Sequence, residues 1–175
     1  HEFHVLADSG EDAIVFSTES EFAANIEKAE ALPSGQSDNQ GTQQKKEVAT
    51  PKTRSIEEVC AQLSVDPSQT VKTLIVSVKD EESEENQKKL YALVVRGDHE
   101  LNEVKAQKIL GVDTELTFAS EQQIKDQLNC PVGSLGPVDL GIPLIVDHSA
   151  AALTDFVGGA NGEGFHLPGV NWQSD

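Results

Sequence analysis

Lys72 lies inside Thr70-Val71-Lys72-Thr73-Leu74-Ile75-Val76-Ser77-Val78, an apolar, β-branched run whose charge it alone supplies. Such a run reads as a strand, and its two-residue period puts Thr70, Lys72, Leu74 and Val76 on one face and Val71, Thr73 and Ile75 on the other. Either face is apolar enough to meet a core. A lysine there either lays its stem along the apolar surface and sends its ammonium to water, or ends in a cleft where an anion or a row of carbonyls receives it. The second group able to do chemistry is Cys130-Pro-Val-Gly-Ser-Leu-Gly-Pro-Val138. Gly133 and Gly136 bracket Ser134 and Leu135, and Pro137 follows. That suits a tight loop whose backbone approaches a ligand and offers N–H donors, although a simple turn carries the same signature. It is not Gly-x-Ser-x-Gly, so a hydrolase nucleophile elbow has no support.

Other chemically capable residues stand apart from these. His99 and Glu100 bring a base and an acid together in the turn Gly97–Asn102, yet a turn histidine between carboxylates is more often solvated or structural. Cys60 and Cys130 lie in unrelated contexts without CxxC spacing, which fits a reducing compartment and a packing role. Asp147 ends an apolar run, where it serves equally as a strand-end cap. His166 sits beyond a glycine-rich stretch, Gly158 to Gly164, and on its own terms is an ordinary loop histidine.

The elements that position these residues follow from local signals. Ser55 is an N-cap for a helix over 55–64, with Glu58 at the capping-box position and Ile56, Val59, Cys60 and Leu63 on one face. Leu90-Tyr-Ala-Leu-Val-Val-Arg96 is a strand antiparallel to the Lys72 strand, and the acidic Asp80–Glu85 between them is an exposed hairpin tip. Asn102 caps a helix to Leu110 that Gly111 ends, and Ser120 caps another to Leu128. Further strands fall at about 115–119, 141–147 and 154–157, by period and composition. Strands and helices alternate irregularly, so the expected class is α+β: a mixed, curved sheet surrounded by helices. The residues of interest then converge where the helix 55–64, the strand 70–76 and the loop 133–137 meet.

With 175 residues and 37% hydrophobic content, the chain can bury one sizeable core plus an appendage. Net charge is −17, from 10 acidic and 3 basic residues before Pro51 and 20 and 10 after it. Neither part is basic, which argues against a long footprint on a nucleic-acid duplex or on DNA, while leaving a grip on one strand end open. No stretch reaches a membrane span and no signal sequence is apparent, so the reading is a soluble, cytoplasmic protein. Residues 33–46 are rich in Ser, Gly, Gln and Asn and read as a flexible linker. Before it, His4–Ala7 and Ala13–Phe16 are strand-like around the turn Asp8–Asp12, and Glu19–Leu32 has helical spacing at Phe22, Ile26 and Ala29.

Five ordered stretches resemble one family: Thr70-Val-Lys-Thr-Leu-Ile-Val76, Val95-Arg-Gly-Asp-His-Glu-Leu-Asn102, Gly133-Ser-Leu-Gly-Pro137, Asp155-Phe with Gly159-Ala-Asn161, and Gly169-Val-Asn-Trp172. They are similar to the editing insertion domain of bacterial-type prolyl-tRNA synthetase, which is related to the free-standing YbaK-type aminoacyl-tRNA deacylases. The resemblance spans about residues 50–172. His1–Asp12 and Ala23–Glu27 resemble the class II catalytic domain of that synthetase just before the insertion. The organisation implied is a catalytic-domain fragment at 1–32, a linker at 33–49 and an editing domain at 50–172.

The resemblance implies hydrolysis of the ester in mischarged Ala-tRNA(Pro), as a cis-editing insert of a proline–tRNA ligase that contributes to translation fidelity. The alternatives are a non-catalytic insert that positions the tRNA acceptor end, or a deacylase acting on Cys-tRNA(Pro). By resemblance Lys72 is central and contacts the terminal nucleotide or its phosphate. Gly133, Ser134 and Gly136 form the catalytic loop, whose N–H groups would receive the oxyanion. Ile56 and Val59 line a small pocket bounded by Thr50, Glu58 and Thr70, and His166 and Asp147 hold substrate. No metal is implied and no cofactor for editing; ATP and Mg belong to the catalytic domain of the full-length synthetase. The partners implied are the 3′ aminoacylated end of tRNA(Pro) and the parent catalytic domain. A hairpin and one helix bury themselves poorly, so limited proteolysis should cut near residue 35 first; resistance throughout would contradict that organisation.

Overall fold

The structure is a computed structural model that describes residues 14–16, 23–25, 41–51, 53, 55–79, 88–112 and 115–172. The strand and turn read at His4–Asp12, the first part of the linker and the hairpin tip Asp80–Glu85 lie outside these residues. The chain divides into two units, His1–Leu32 and Pro33–Asp175. In the first, β1 (Ile14–Phe16) pairs antiparallel with β2 (Ala23–Asn25), in the register Ile14 to Asn25 and Phe16 to Ala23. The helix expected over Glu19–Leu32 is therefore corrected at its centre. A three-residue apolar strand has to find a backbone partner, and that pairing overrides a helical spacing of only three apolar residues.

The second unit is α+β, as expected. β4 (Val71–Lys79) and β5 (Lys88–Arg96) pair antiparallel along their whole length, from Val71 opposite Arg96 to Lys79 opposite Lys88. β6 (Leu144–Val146) runs parallel to β5, which makes the sheet mixed. A second sheet has the order β3, β8, β7, with β3 at Val48–Ala49, β7 at Phe156–Gly159 and β8 at Phe165–Val170, all antiparallel. A parallel bridge from Thr70 to Val157 joins the two sheets at one point. The expected strand 115–119 is reduced to a bridge between Phe118 and Val76, flanked by hydrogen bonds from Ser77 N–H to Thr117 O and from Ala119 N–H to Ile75 O.

The helices follow their capping residues. α1 (Ile56–Leu63) carries the Ser55–Glu58 capping box, α2 (Glu103–Leu110) starts at Asn102 and ends at Gly111 in the left-handed region, and α3 (Glu121–Leu128) has a Ser120–Gln123 box. A short α4 (His148–Ala151) is capped by Asp147. β4 has apolar neighbours on both faces, as its composition requires. Ile75 packs with Leu90, Ala92, Ile124 and Cys130, whereas Val76 packs with Leu93, Ala106 and Leu116 under α2. Val71 belongs to a third cluster around Phe156 and Val94, where Trp172 stacks on Phe156 at 4.7 Å and donates Nε1–H to Ala150 O at 2.9 Å.

The end of the stretch that composition marks as linker is held in place. Thr42 and Gln43 donate their backbone N–H groups to the Asp155 carboxylate at 2.8 and 3.1 Å, and Thr42 Oγ1 adds a bond at 3.1 Å. Lys46 N–H reaches Pro168 O, and β3 then pairs Val48 with His166. Polar side chains gave no sign of this because backbone donors make the contacts. No helix among the described residues is long and apolar enough to cross a membrane. Phe156 is fully buried, so Phe156→Ala should cost about 3–5 kcal/mol in denaturant unfolding. A cost below about 1 kcal/mol would show that this cluster is not a core.

Candidate functional site

Lys72 and His166 each adjoin, along the chain, a residue of the Phe156 cluster. Val71 and Leu167 both pack in that cluster, so alternation along β4 and β8 turns their neighbours Lys72 and His166 away from it. α1 lies against the Lys72 face of β4. The Cys60 thiol meets Thr70, and Glu57, one turn earlier, is close enough for the Lys72 charge to help hold its carboxyl below the ordinary range, after the larger effects of a backbone amide and the Ser55 hydroxyl. Gln62 Nε2 donates to Ala49 O at 3.0 Å, which ties the other end of α1 to β3.

Lys72 buries its stem and brings Nζ to Glu100 Oε1 at 3.2 Å; the lysine side chain is 23% exposed and the glutamate 95%. A pair with so exposed a carboxylate is worth no more than about 1 kcal/mol. An incoming anion can therefore replace Glu100 at little cost. In the sequence Glu100 reads as a turn residue, and its pairing across 28 positions has no local signature. Its neighbour His99 instead meets Arg96 Nη2 at 2.9 Å, while Arg96 grips Asp98 at 2.6 and 2.9 Å. That cluster is an interaction within one turn, as expected.

Thr50 and His166 form the buried polar centre. Thr50 Oγ1 lies 2.6 Å from His166 Nδ1, Thr50 N–H donates to Gly164 O at 2.7 Å, and Gly164 N–H donates to Ser134 Oγ at 3.3 Å. The structure thus brings together three predicted site residues, Thr50, Ser134 and His166. Burial pushes the His166 imidazole below its ordinary pKa, so the ring is neutral near pH 7 and accepts or donates according to its tautomer. Thr70, also buried, gives its hydroxyl proton to Pro67 O at 2.8 Å and its carbonyl to Gly97 N–H at 2.8 Å, which fixes the start of β4.

The glycine loop enters where β4 and β7 part. Beyond the Thr70–Val157 bridge, Pro137 packs beside Gly158, and the carbonyls of Ser134 and Leu135 press on Gly159 where a Cβ would stand. A Cβ on Gly136 would in turn strike the Gly159 backbone. Both glycines are required by this contact of backbone on backbone. Ser134 N–H bonds Pro131 O at 3.1 Å and Gly136 N–H bonds Asn161 Oδ1 at 2.8 Å, so those two donors are committed within the protein. A one-turn helix, Val132–Ser134, begins the loop without a side-chain cap. The first N–H groups of such a turn, those of Val132 and Gly133, have no partner within it.

Other predicted residues have structural duties. Glu58 closes the α1 capping box at 3.2 Å from Ser55 N, Val59 is buried and Ile56 half-buried on the same helix. Asp147 accepts Ser149 N–H at 2.9 Å as the cap of α4, following the β6 strand on the far side of β5 from β4, and does not join the Thr50–His166 group. Burial pushes the Cys130 thiol up to about 11, which leaves almost no thiolate. No group of three metal-ligating side chains occurs among the described residues. Sequence reasoning passed over Gly159 and Asn161 as site residues; their signal was the Gly-Ala-Asn motif itself, where Asn161 has a φ of 55°.

Residues 50–174 match the family described as aminoacyl-tRNA editing domain. Among solved structures, the chain is similar to hypothetical protein APE2540, at 29% identity and a TM-score of 0.56, over 71% of this chain and 79% of that one. It is also similar, at 21% identity and a TM-score of 0.57 over 70% of this chain and 74% of the other, to a protein described as a candidate trans-editing enzyme for prolyl tRNA synthetase. At that identity the likeness is one of fold, and it is the α+β fold expected from the sequence.

The neutral state of His166 has a consequence for stability. The unfolded ring titrates near pH 6.5 and the folded one lower, so the protein should keep its full stability above about pH 6.5 and lose part of it as pH falls through the folded value. Unfolding midpoints measured from about pH 7.5 to about pH 5 should fall less steeply in His166→Asn than in the wild type. Parallel curves would show that His166 is not held neutral.

Proposed function

The chain belongs to the aminoacyl-tRNA editing domain family, and from that premise we propose that it is a deacylase that hydrolyses the ester of mischarged Ala-tRNA(Pro). The observation that supports this most is Lys72, a cation with a buried stem and a head paired with an exposed carboxylate. The phosphate or terminal nucleotide of an acceptor end replaces Glu100 there. The aminoacyl ester then extends along α1 toward Ile56 and Val59, with Thr50, Glu58 and Thr70 bounding a pocket sized for alanine. His166, neutral and fixed by Thr50, holds the substrate by a hydrogen bond.

Water adds to the ester carbonyl, the tetrahedral oxyanion forms, and the carbon–oxygen bond to ribose breaks as the ribose oxygen takes a proton. Preorganised N–H donors stabilise that oxyanion. With Gly136 and Ser134 N–H committed elsewhere, Gly133 is the loop residue suited to donate, and Ser134 supports it through Gly164. A vicinal hydroxyl of the substrate ribose orients the water, and no metal or cofactor is required. The need for such a site is physical. A synthetic pocket built for proline discriminates against the smaller alanine by only about 1–3 kcal/mol per missing methylene, so a second sieve is required.

The resemblance of residues 1–12 and 23–27 to a class II catalytic domain supports a cis-editing insert of prolyl-tRNA synthetase, with a linker at 33–49, an editing domain at 50–172 and the synthetase as partner. The protein described as a candidate trans-editing enzyme favours a second reading, a free-acting deacylase that also clears Cys-tRNA(Pro). The acidic balance fits either, since a domain that receives only the 3′ end needs little basic surface.

Deacylation of alanyl-, cysteinyl- and prolyl-tRNA(Pro) at high protein concentration, with Lys72→Ala in parallel, tests the proposal. Loss of alanine alone, reduced on the order of 10²-fold or more by the substitution, is the expected result. Loss of cysteine in preference would favour the second reading, and hydrolysis of no ester would overturn both.

A further inference from the structure

Asn161 holds three alternate residues of the glycine loop at once. Its backbone N–H donates to Ser134 O at 2.8 Å, its Oδ1 accepts Gly136 N–H at 2.8 Å, and its Nδ2 donates to Val138 O at 2.6 Å. The Cys130 thiol lies 3.9 Å from the same Oδ1. Residues 134, 136 and 138 are thus bonded by one residue as a neighbouring strand would bond them, just past the end of β7, whose Gly159 backbone lies against the same loop. The left-handed φ of 55° at Asn161 aims the backbone and the side-chain amide at the same loop, and asparagine is among the few side-chain-bearing residues that adopt this conformation readily.

We propose that Asn161 is a positioning residue of the deacylation site, a clamp that sets the glycine loop so that Gly133 N–H faces the developing oxyanion. This rests on the deacylase reading. The clamp needs an acceptor and a donor on one short side chain, which an amide supplies. A carboxylate would keep the bond from Gly136 and lose the one to Val138, and alanine would lose both. A glycine-bearing loop freed in this way samples many backbone states. The oxyanion exists only after water has added, so losing the alignment weakens transition-state stabilisation and leaves ground-state binding at Lys72 intact.

Two measurements on Asn161→Asp and Asn161→Ala test this. Amide hydrogen exchange should show the Gly136 amide exchanging at least about 10-fold faster in Asn161→Ala, which removes its acceptor, and little changed in Asn161→Asp, which keeps it, while amides in β4 and β5 keep their protection and report an intact fold. In deacylation of Ala-tRNA(Pro), kcat should fall on the order of 10²-fold, with KM within about 2-fold of the wild type. If Asn161→Ala fails to fold, Asn161→Gly, which tolerates the left-handed backbone and removes the same acceptor, carries the exchange measurement, and Asn161→Asp the kinetic one. Gly136 exchange unchanged where its acceptor is removed would overturn the clamp. Faster exchange with kcat unchanged, or a loss confined to KM, would overturn its part in catalysis. A wild type that hydrolyses no ester would overturn the deacylase reading and the catalytic role together, while the exchange measurement would still decide whether the clamp exists.

Discussion

Among the described residues one backbone bridge, Thr70 to Val157, joins the two sheets, and the site depends on what happens on either side of it. Before the bridge, Thr70 is locked by Pro67 and Gly97, so β4 starts from a fixed point. After it, β4 turns toward β5 and its cores while β7 pairs with β8. The wedge between them admits the glycine loop, and only because Gly136 and Gly159 lack side chains. Without the bridge there would be no fixed angle at the wedge. Without the glycines a sheet edge would be left open instead of a loop being seated in it.

Charge is arranged sparingly around this wedge. The molecule is strongly acidic, and an anionic substrate is repelled over most of its surface at distances beyond a contact. What draws such a substrate in must therefore be local. Lys72 provides one such point, and its weak pairing with Glu100 keeps the cation ready without leaving it naked. The neutral His166 adds hydrogen bonding without adding another charge to be desolvated.

Much of the fold could be read directly because its signals are local. The caps Ser55, Asn102 and Ser120 and the paired runs of β4 and β5 declare themselves within a few residues. β8 could not be read: Pro168 and Gly169 interrupt its pattern, and it is a strand because β3 and β7 supply partners from far along the chain. β2 failed in the opposite way, with helical spacing that pairing overrode. The residues of the site were named from their types and from resemblance, and the structure unites Thr50, Ser134 and His166. The contacts that give them meaning, Lys72 with Glu100 and Asn161 with the loop, cross 28 and 25 positions. No periodicity or short motif spans such distances.

The grip of Asp155 on Thr42 and Gln43 gives the chain an order of anchorage. Asn171, just past β8, steadies the same carboxylate through a bond at 2.9 Å, and these donors hold its pKa well down, to about 2. Going along the chain, that knot comes first, the Lys46 bond to Pro168 next, the two residues of β3 after it, and Thr50 last. A pull on the backbone ahead of Gly41 must undo three tethers in series before it can shift the threonine that fixes His166. In mechanical terms the fold carries a strain relief where its cable enters, and the buried polar centre is insulated from force applied ahead of it.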